Sequence, residues 1–217
     1  GGMALHAATR FGVQVVAVTL SQQQAEWGQQ AVRDAGLEGQ VDIRRQDYRD
    51  VPDTGFDAVS SIGLTEHIGL ANIPAYARTL ADKLVPQGRL LNHCITRSAD
   101  DQRPIARRGF ITRYVFPDGE LPGVGKVVHD LQAAGLEVRH EENLREHYAR
   151  TCRAWCDNLE AHWDAAVAEV GEGTARVWAL YLAGSAIGFE RGDIQLHQVL
   201  VVKSAGGRSA MPLRPDW

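Results

Sequence analysis

The chain has 217 residues, of which 44% are hydrophobic and 23% charged, and its formal net charge is -4. This composition is typical of a globular protein and excludes collagen, coiled coil and intrinsic disorder. The negative net charge provides no overall positive field, so we expect no nucleic acid partner. Chains of this length bury a full core in one domain, and we expect a single domain over residues 1–217.

The three cysteines, Cys94, Cys152 and Cys156, are too few and odd in number for a secreted disulfide scaffold. We therefore expect a cytoplasmic protein, with Cys152 and Cys156 as buried thiols on one helix face. The sequence has no apolar run of about 18 residues. We expect no transmembrane segment and only peripheral membrane contact.

Strand and helix patterns alternate from the start of the chain. A helix is expected over residues 4–11, and the apolar, β-branched run 13–20 predicts a central strand that is buried on both faces. Ser21, with Gln24 three residues later, has the spacing of a capping box. These two residues predict the start of a helix that ends just before Gly36.

The alternation continues along the chain. Further strands are predicted over residues 41–48, 56–63, 89–95, 136–142 and 194–203, and a further helix over residues 73–84. Residues 86–88, Pro-Gln-Gly, predict a turn between that helix and the next strand. Alternating strands and helices without repeats predict a doubly wound, mostly parallel α/β sheet.

Two regions interrupt this pattern. Residues 100–121 are rich in Arg, Pro and Gly and predict a loop or lid. The basic residues of this segment are Arg103, Arg107, Arg108 and Arg113. They are solvated, or they contact anionic headgroups or an acidic carrier protein. Residues 145–189 predict a helical insertion of two helices that join near residues 171–173. This insertion carries an apolar stripe at helical spacing, which comprises Trp155, Leu159, Trp163, Val167 and Val170. The stripe packs against the sheet or lines an apolar substrate cavity.

Polar residues at the predicted strand ends are candidate site residues, because ligands of open α/β sheets bind beyond the carboxyl ends of the strands. They are Thr19, Ser21, Asp47, Tyr48, Glu66, His67 and His93. Any one of them alone is more simply explained as a helix cap or a loop contact, but four strand ends together favour a binding site. His140 and His147 lack the spacing of a zinc protease, so no metal site is predicted.

Several strings of residues occur in the order and spacing of one enzyme family. They are TLSQQQ (19–24), DYRDV (47–51), FDAVSSIGLTEHIG (56–69), LLNHCIT (90–96), FITRYVFPDGELP (110–122), HYARTCRAW (147–155) and FERGDIQLHQVLVVK (189–203). On these strings the chain resembles the cyclopropane-fatty-acyl-phospholipid synthases and mycolic acid cyclopropane synthases over almost all of its length. The resemblance implies a Rossmann-like class I methyltransferase fold and S-adenosylmethionine as the methyl donor.

The resemblance also implies where that cofactor binds. The matching positions are Gly1 and Gly2 of the glycine motif D-I-G-C-G-W-G-G, Thr19, Leu20 and Gln24 near the ribose and methionine parts, and Gln46, Asp47 and Tyr48 near the adenine. The first strand of the fold and an N-terminal segment with a pocket cysteine are then missing from the chain. We expect residues 1–217 alone to bind the cofactor weakly, because the glycine-rich turn is incomplete.

A bicarbonate ion that accepts a proton is the second implied cofactor. The matching catalytic positions are Ile62, Glu66, His93, Ile95 and Tyr148. His93 is able to donate a hydrogen bond and to carry charge, and the Tyr148 ring is a candidate for stabilising a carbocation. Thr65 stands where family members commonly carry Phe, which changes the expected shape of the acyl pocket.

The implied reaction adds a methylene across a cis double bond in the unsaturated acyl chain of a phospholipid, at the inner face of the membrane. One alternative is methylation of the same alkene to a methylene- or methyl-branched chain. An alternative of another class is a truncated, non-catalytic remnant that binds lipid or protein. The sequence leaves a homodimer open.

Overall fold

A computed structural model of the chain describes residues 1–99 and 109–214. The chain divides into two compact units, Gly1–Asp53 and Thr54–Trp217. The single domain over residues 1–217 stays a prediction, as does a further strand before Gly1.

The first unit consists of two parallel strands and two longer helices. Its elements are α1 (Gly2–Phe11), β1 (Val15–Thr19), α2 (Gln22–Asp34), β2 (Val41–Arg45) and a 3-10 helix (Tyr48–Asp50). The two strands pair in parallel from Val15 opposite Val41 to Thr19 opposite Arg45. The core of this unit is formed by Ala4, Ala8, Val32, Val41 and Ile43.

Helix α2 begins at the predicted position, with half of the predicted capping box. The Ser21 hydroxyl accepts a hydrogen bond from the Gln24 backbone N–H at 3.2 Å. The Ser21 N–H donates to the Thr19 hydroxyl oxygen at 3.2 Å, and this hydroxyl donates in turn to Gln24 Oε1 at 2.8 Å. The Gln24 side chain therefore reaches the strand end and not the N-cap amide. The helix ends at Asp34, and Gly36 takes the left-handed conformation with φ 66°.

The second unit contains a four-stranded sheet and the remaining helices. In chain order its elements are β3 (Phe56–Ile62), α3 (Ile73–Lys83), β4 (Leu84–Thr96), α4 (Phe110–Tyr114), α5 (Val124–Ala133), β5 (Glu137–Asn143), α6 (Arg145–Ala161), α7 (Trp163–Val170), α8 (Glu172–Arg191) and β6 (Gln195–Val202). The strand order is β3-β4-β6-β5. Strands β3 and β4 are parallel, whereas β6 is antiparallel to both β4 and β5. The α/β class is confirmed, with antiparallel pairs at the β6 end of the sheet.

Helices cover both faces of this sheet. Alternate residues of a strand point to opposite faces, so each strand contacts helices on both sides. On one face, the Tyr76 hydroxyl of α3 donates to Asn92 Oδ1 of β4 at 2.6 Å. On the other face, Leu196 of β6 packs with Ala149 of α6 and Phe189 of α8. Successive residues on β4 and β6 therefore pack against helices on opposite faces of the sheet.

Strands β1 and β3 are less buried than the sequence predicts. All five residues of β1 are half-buried, and within the described residues β1 pairs only with β2. Ala58, Ser60 and Ile62 of β3 are exposed, while Ser61 is buried. The prediction of a central strand buried on both faces is wrong for β1, which lies beside a single strand in the part of the chain that the structure describes. The sequence of β3 is likewise typical of a buried strand, but only Ser61 in it is buried.

The predicted turn at residues 86–88 lies inside the long strand β4. The pairing with β3 shifts between Phe56 and Ala58, as in a β-bulge, and Gln87 takes a left-handed φ of 67°. A Cβ on Gly88 would lie 2.9 Å from the Val85 carbonyl oxygen, so the bulge requires glycine there.

The predicted lid contains the short helix α4 within residues 109–121. Arg113 is exposed, and its guanidinium carbon lies 5.4 Å from the centroid of the Tyr114 ring. Residues 100–108, and with them Arg103, Arg107 and Arg108, lie outside the described residues. Helix α5 follows at Val124, where the sequence analysis expected no helix.

The helical insertion is confirmed, but it contains three helices and not two. An additional break occurs at His162, between α6 and α7. Trp155 and Val170 are each 47% exposed, so of the two alternatives for the apolar stripe, packing against the sheet does not bury these two side chains. None of the helices in the described part of the chain is long and apolar enough to cross a membrane.

Candidate active site

The carboxyl ends of β3 and β4 lie side by side and carry the predicted catalytic residues. Ile62, the last residue of β3, is the register partner of His93 on β4. Gly63 then turns the chain with φ 65° and donates its N–H to the His93 carbonyl at 2.9 Å. The 3-10 helix Thr65–His67 follows and carries Glu66.

Glu66 is a buried carboxylate with one bonded and one unbonded oxygen. The side chain is 6% exposed, and Oε1 accepts a hydrogen bond from the Ile95 backbone N–H at 2.7 Å. Oε2 is fully buried and has no hydrogen-bond partner within residues 1–99 and 109–214. Burial raises the pKa of Glu66 above its usual value, against the opposing effect of the Ile95 hydrogen bond. A buried, unbonded oxygen is costly unless it is protonated or meets a donor from a ligand.

His93 and Tyr148 form the other half of the cluster. Tyr148 comes from α6, and its hydroxyl lies 2.9 Å from His93 Nε2, with the ring centroids 5.6 Å apart. Burial lowers the pKa of His93, which is 8% exposed, so the ring is neutral near pH 7. Burial raises the pKa of Tyr148, and the Glu66 charge adds to that rise. Glu66 is held next to His93 by geometry, because its Oε1 bonds the backbone N–H of Ile95, two residues further along β4.

A buried hydrogen-bond network supports the Glu66 segment from the α3 side of the sheet. The Thr65 hydroxyl donates to Asn92 Oδ1 at 2.8 Å, and Thr65 is 1% exposed. Asn92 Oδ1 also accepts from the Tyr76 hydroxyl, which lies 2.7 Å from the Ser61 hydroxyl. Thr65 therefore fixes the 3-10 helix to β4, next to His93.

Gln198 of β6 is a neighbour of His93 that the sequence analysis did not single out. It is the register partner of His93 on the antiparallel strand, and its Nε2 lies 3.0 Å from His93 Nδ1. The string FERGDIQLHQVLVVK contains this residue, but only the pairing of β6 with β4 brings it to His93.

An aromatic row next to the cluster was also missed. The ring centroids are 5.1 Å apart for His67 and Phe116, 5.6 Å for Phe116 and Tyr181, and 5.4 Å for Tyr181 and Trp178. This row connects the segment that carries Glu66 to α8. Its members come from three segments far apart in the chain, so no local sequence pattern predicts it.

In the first unit, the predicted cofactor residues lie at the ends of β1 and β2. A cavity of about 390 Å³ is lined by Gly1, Thr19 and Gln24, together with Trp27 and Ile43. Its volume is within the range of about 300–1,000 Å³ found for small-molecule sites. The structure therefore brings three of the eight predicted cofactor residues together around one cavity. Gly2 is exposed at the start of α1, and Leu20 is 68% exposed.

The segment after β2 carries the remaining predicted cofactor residues. The Gln46 N–H donates to the Thr19 carbonyl at 3.0 Å, which ties the ends of both strands together. The Asp47 carboxylate accepts from the Arg49 backbone N–H at 2.9 Å and from its guanidinium at 2.7 Å. These hydrogen bonds lower the pKa of Asp47. Tyr48 is half-buried. The adenine-binding role of Gln46, Asp47 and Tyr48 stays a prediction.

Among the described residues, no group of three or more His, Cys, Asp and Glu side chains is arranged to hold a metal ion. Ser21, another strand-end candidate, is the N-cap of α2. His67 is exposed and stacks near Phe116.

A family model for mycolic acid cyclopropane synthetase matches residues 1–199. The chain belongs to the mycolic acid cyclopropane synthetase family. The predicted resemblance is confirmed, and relatives are named as fatty acid methyltransferases and cyclopropane synthases, in agreement with the predicted enzyme class.

Curated relatives match along nearly the whole chain. "Probable fatty acid methyltransferase Rv3720" of Mycobacterium tuberculosis is 57% identical over 100% of the chain and 51% of its own length. A relative in Pseudomonas putida, also named "Probable fatty acid methyltransferase", is 45% identical over 98% of the chain and 55% of its own length. Cyclopropane-fatty-acyl-phospholipid synthase of Escherichia coli is 33% identical over 92% of the chain and 50% of its own length. The chain thus spans about half the length of the curated relatives it matches.

Solved structures of the family have the same fold. The cyclopropane synthase MmaA2 of Mycobacterium tuberculosis superposes with a TM-score of 0.85 and 27% identity, over 94% of this chain and 74% of its own. The mycolic acid cyclopropane synthase CmaA1, in a complex with SAH and CTAB, also gives a TM-score of 0.85, with 29% identity over 94% of this chain and 74% of its own. The class I methyltransferase fold is therefore confirmed.

Proposed function

We propose that the protein methylates a cis double bond in the unsaturated acyl chain of a phospholipid, with S-adenosylmethionine as donor, and closes a cyclopropane ring. The observation that carries this proposal is the cluster of Glu66, His93 and Tyr148, with the unbonded, buried Oε2 of Glu66. Such a cluster suits the handling of a proton in a site shielded from water.

We assign S-adenosylmethionine to the first unit. The cavity at Gly1, Thr19 and Gln24 supports this assignment, as does the SAH in the CmaA1 complex. Bound there, the cofactor supplies an electrophilic methyl group. The exposed backbone of Gly1 and Gly2 suits the carboxylate end of the ligand because no side chain hinders its approach. Leu20 and the segment from Gln46 to Tyr48 are assigned to the ribose and adenine, as the family resemblance implies.

We assign bicarbonate to the cluster in the second unit, where it would supply a proton acceptor. The residues fit such an ion because Glu66 Oε2 lacks a donor and the Tyr148 hydroxyl belongs to the same cluster. The raised pKa of Glu66 favours its protonated form, which donates to an anion and avoids a contact between two negative charges. Ile62 and Ile95 supply apolar surface beside these polar groups.

The chain's own residues have three tasks in this reaction. Glu66 and His93 hold and orient the base, and the apolar side chains exclude water from the reacting carbons. The Tyr148 ring stabilises the positive charge that forms on the alkene, by up to about 2 kcal/mol in a dry site. When a proton leaves the added methyl carbon for the base, the electron pair of that C–H bond closes the ring.

We propose that the lipid is reached at the cytoplasmic surface of a membrane. Exposed apolar side chains on one face of α8 support this, since Leu180 and Ile187, seven residues apart, are 64% and 45% exposed. Large exposed apolar residues are frequent where proteins meet lipids or partners. A homodimer stays a prediction.

A second outcome of the same methylation is favoured by the names of two relatives. The proteins with 57% and 45% identity are both named as fatty acid methyltransferases, whereas the E. coli cyclopropane synthase is 33% identical. A methylene-branched acyl chain would result if a hydride moved from the methylated carbon to the adjacent cation and the added methyl group then lost a proton to the base, its C–H electron pair forming the new double bond.

Product analysis with the intact protein tests the proposed function. The protein is incubated with S-adenosylmethionine that carries a ¹³C-methyl group and with vesicles of phosphatidylglycerol that contains oleoyl chains. We expect the label in the acyl chain, and resistance of the product to mild hydrogenation distinguishes a cyclopropane from a methylene branch. Saturated phosphatidylglycerol is the control. Label on a headgroup hydroxyl with an intact alkene would contradict the proposal.

A further inference from the structure

Gln198 contacts the side of His93 that faces away from Tyr148. His93 Nδ1 lies 3.0 Å from Gln198 Nε2, while His93 Nε2 lies 2.9 Å from the Tyr148 hydroxyl. Both ring nitrogens of His93 therefore have a partner, one from β6 and one from α6. The antiparallel register fixes Gln198 directly opposite His93.

The chemistry of these partners determines where the His93 proton is. An amide nitrogen such as Gln198 Nε2 only donates hydrogen bonds, so His93 Nδ1 must accept. A neutral imidazole has one N–H, which then sits on Nε2 and donates to the Tyr148 oxygen. The hydroxyl proton of Tyr148 is consequently not used by His93 and is available to a third group.

We propose that Gln198 is a positioning residue that holds His93 in the Nε2–H tautomer and thereby leaves the Tyr148 hydroxyl free to donate to an anion beside Glu66; this last step rests on the proposed function. In this arrangement Gln198 donates a hydrogen bond to His93, and His93 donates one to the Tyr148 oxygen. Removal of the amide would let the His93 proton move to Nδ1, and the Tyr148 hydroxyl would turn to donate to Nε2.

The groups around His93 determine how a new charge at position 198 would change the His93 pKa. From α6, Tyr148 faces the ring, and from the 3-10 helix the Glu66 carboxylate is bonded to Ile95, two residues along β4 from His93. From β6 the facing residue is the uncharged Gln198, whose own partner on β5 is the exposed Glu142, and from β3 it is Ile62. A carboxylate at position 198 therefore adds a charge on a side of the ring where the facing residue is neutral.

Imidazole ¹⁵N NMR of the intact protein tests the tautomer directly. The spectrum separates protonated from unprotonated ring nitrogens, and the His93→Gln variant assigns the His93 signals. In the native protein, above the pKa of His93, we expect a protonated Nε2 and an unprotonated Nδ1. In Gln198→Met, which has similar size but no donor, we expect a mixture of both tautomers. In Gln198→Glu we expect a protonated Nδ1 and a His93 pKa raised by about 1–3 units.

Gln195→Met is the matched control, because Gln195 lies on the same strand opposite Thr96. It should leave both His93 signals and the His93 pKa unchanged. A native protein with its proton on Nδ1, or a Gln198→Met variant that keeps the Nε2–H tautomer, would overturn the role of Gln198.

Kinetics separate the role of Gln198 from the proposed function. Gln198→Met should lower kcat about tenfold, the cost of one misdirected hydrogen bond, with the KM for S-adenosylmethionine unchanged. A loss that appears only in KM would contradict a positioning role. The NMR experiment requires no turnover, so it remains decisive even if the product analysis contradicts the proposed reaction.

Discussion

Two histidines in the second unit are buried as neutral rings. His93 is 8% and His197 4% exposed, and burial lowers the pKa of both. His197 Nδ1 lies 2.6 Å from the Thr96 hydroxyl, and the Glu141 carboxylate, 3.5 Å from Nε2, opposes part of the shift. Neither ring accepts a proton in the folded protein as readily as in the unfolded chain.

This difference predicts how the stability depends on pH. Between the lowered pKa values and the ordinary value of 6.5, the unfolded chain binds more protons than the folded protein. The free energy of unfolding should therefore fall as the pH is lowered below the ordinary value of 6.5. Urea titrations measure it, and His93→Gln and His197→Gln should each weaken the dependence. The exposed His129→Gln serves as control, and an equal effect of all three variants would contradict the explanation.

At the scale of elements, the strands were the most predictable part of the chain. The cores of β1, β2, β3 and β6 were located from their β-branched residues, and the start of α2 from Ser21. Helix α5, the break at His162 and the bulge in β4 were missed, because tertiary packing and one glycine decide them. Glu66 and His93 were candidates from their strand-end positions, and the family resemblance added Tyr148 and the proposed catalytic roles, whereas Gln198 required the register of β6.

The bulge in β4 gives a test at this scale. Gly88→Ala would bring a Cβ to 2.9 Å from the Val85 carbonyl oxygen and should destabilise the protein by about 1–3 kcal/mol. Gly125→Ala is the matched control, since its Cβ would meet no atom within 4 Å and α5 gains from alanine by up to about 1 kcal/mol. Calorimetry gives both values. A Gly88→Ala variant as stable as Gly125→Ala would show that the bulge does not need glycine.

For the whole molecule, the two compact units carry different parts of the proposed chemistry. Gly1–Asp53 contains the cavity assigned to S-adenosylmethionine, and Thr54–Trp217 contains the cluster of Glu66, His93 and Tyr148. Methyl transfer to an alkene needs both, because the donor supplies the carbon and the cluster removes a proton. The two functions should therefore be separable by mutation.

The assignment of the active site is tested most directly by comparing Glu66→Gln with the native protein for turnover and for cofactor binding. Turnover is followed with unsaturated phospholipid vesicles in bicarbonate buffer, and calorimetry measures the affinity for S-adenosylmethionine. Glu169→Gln, at an exposed position on α7, is the matched control. We expect Glu66→Gln to lower kcat by about 10²–10⁴-fold, the range for loss of a proton-handling group, with cofactor affinity unchanged. Native turnover by Glu66→Gln would contradict the assignment of the active site.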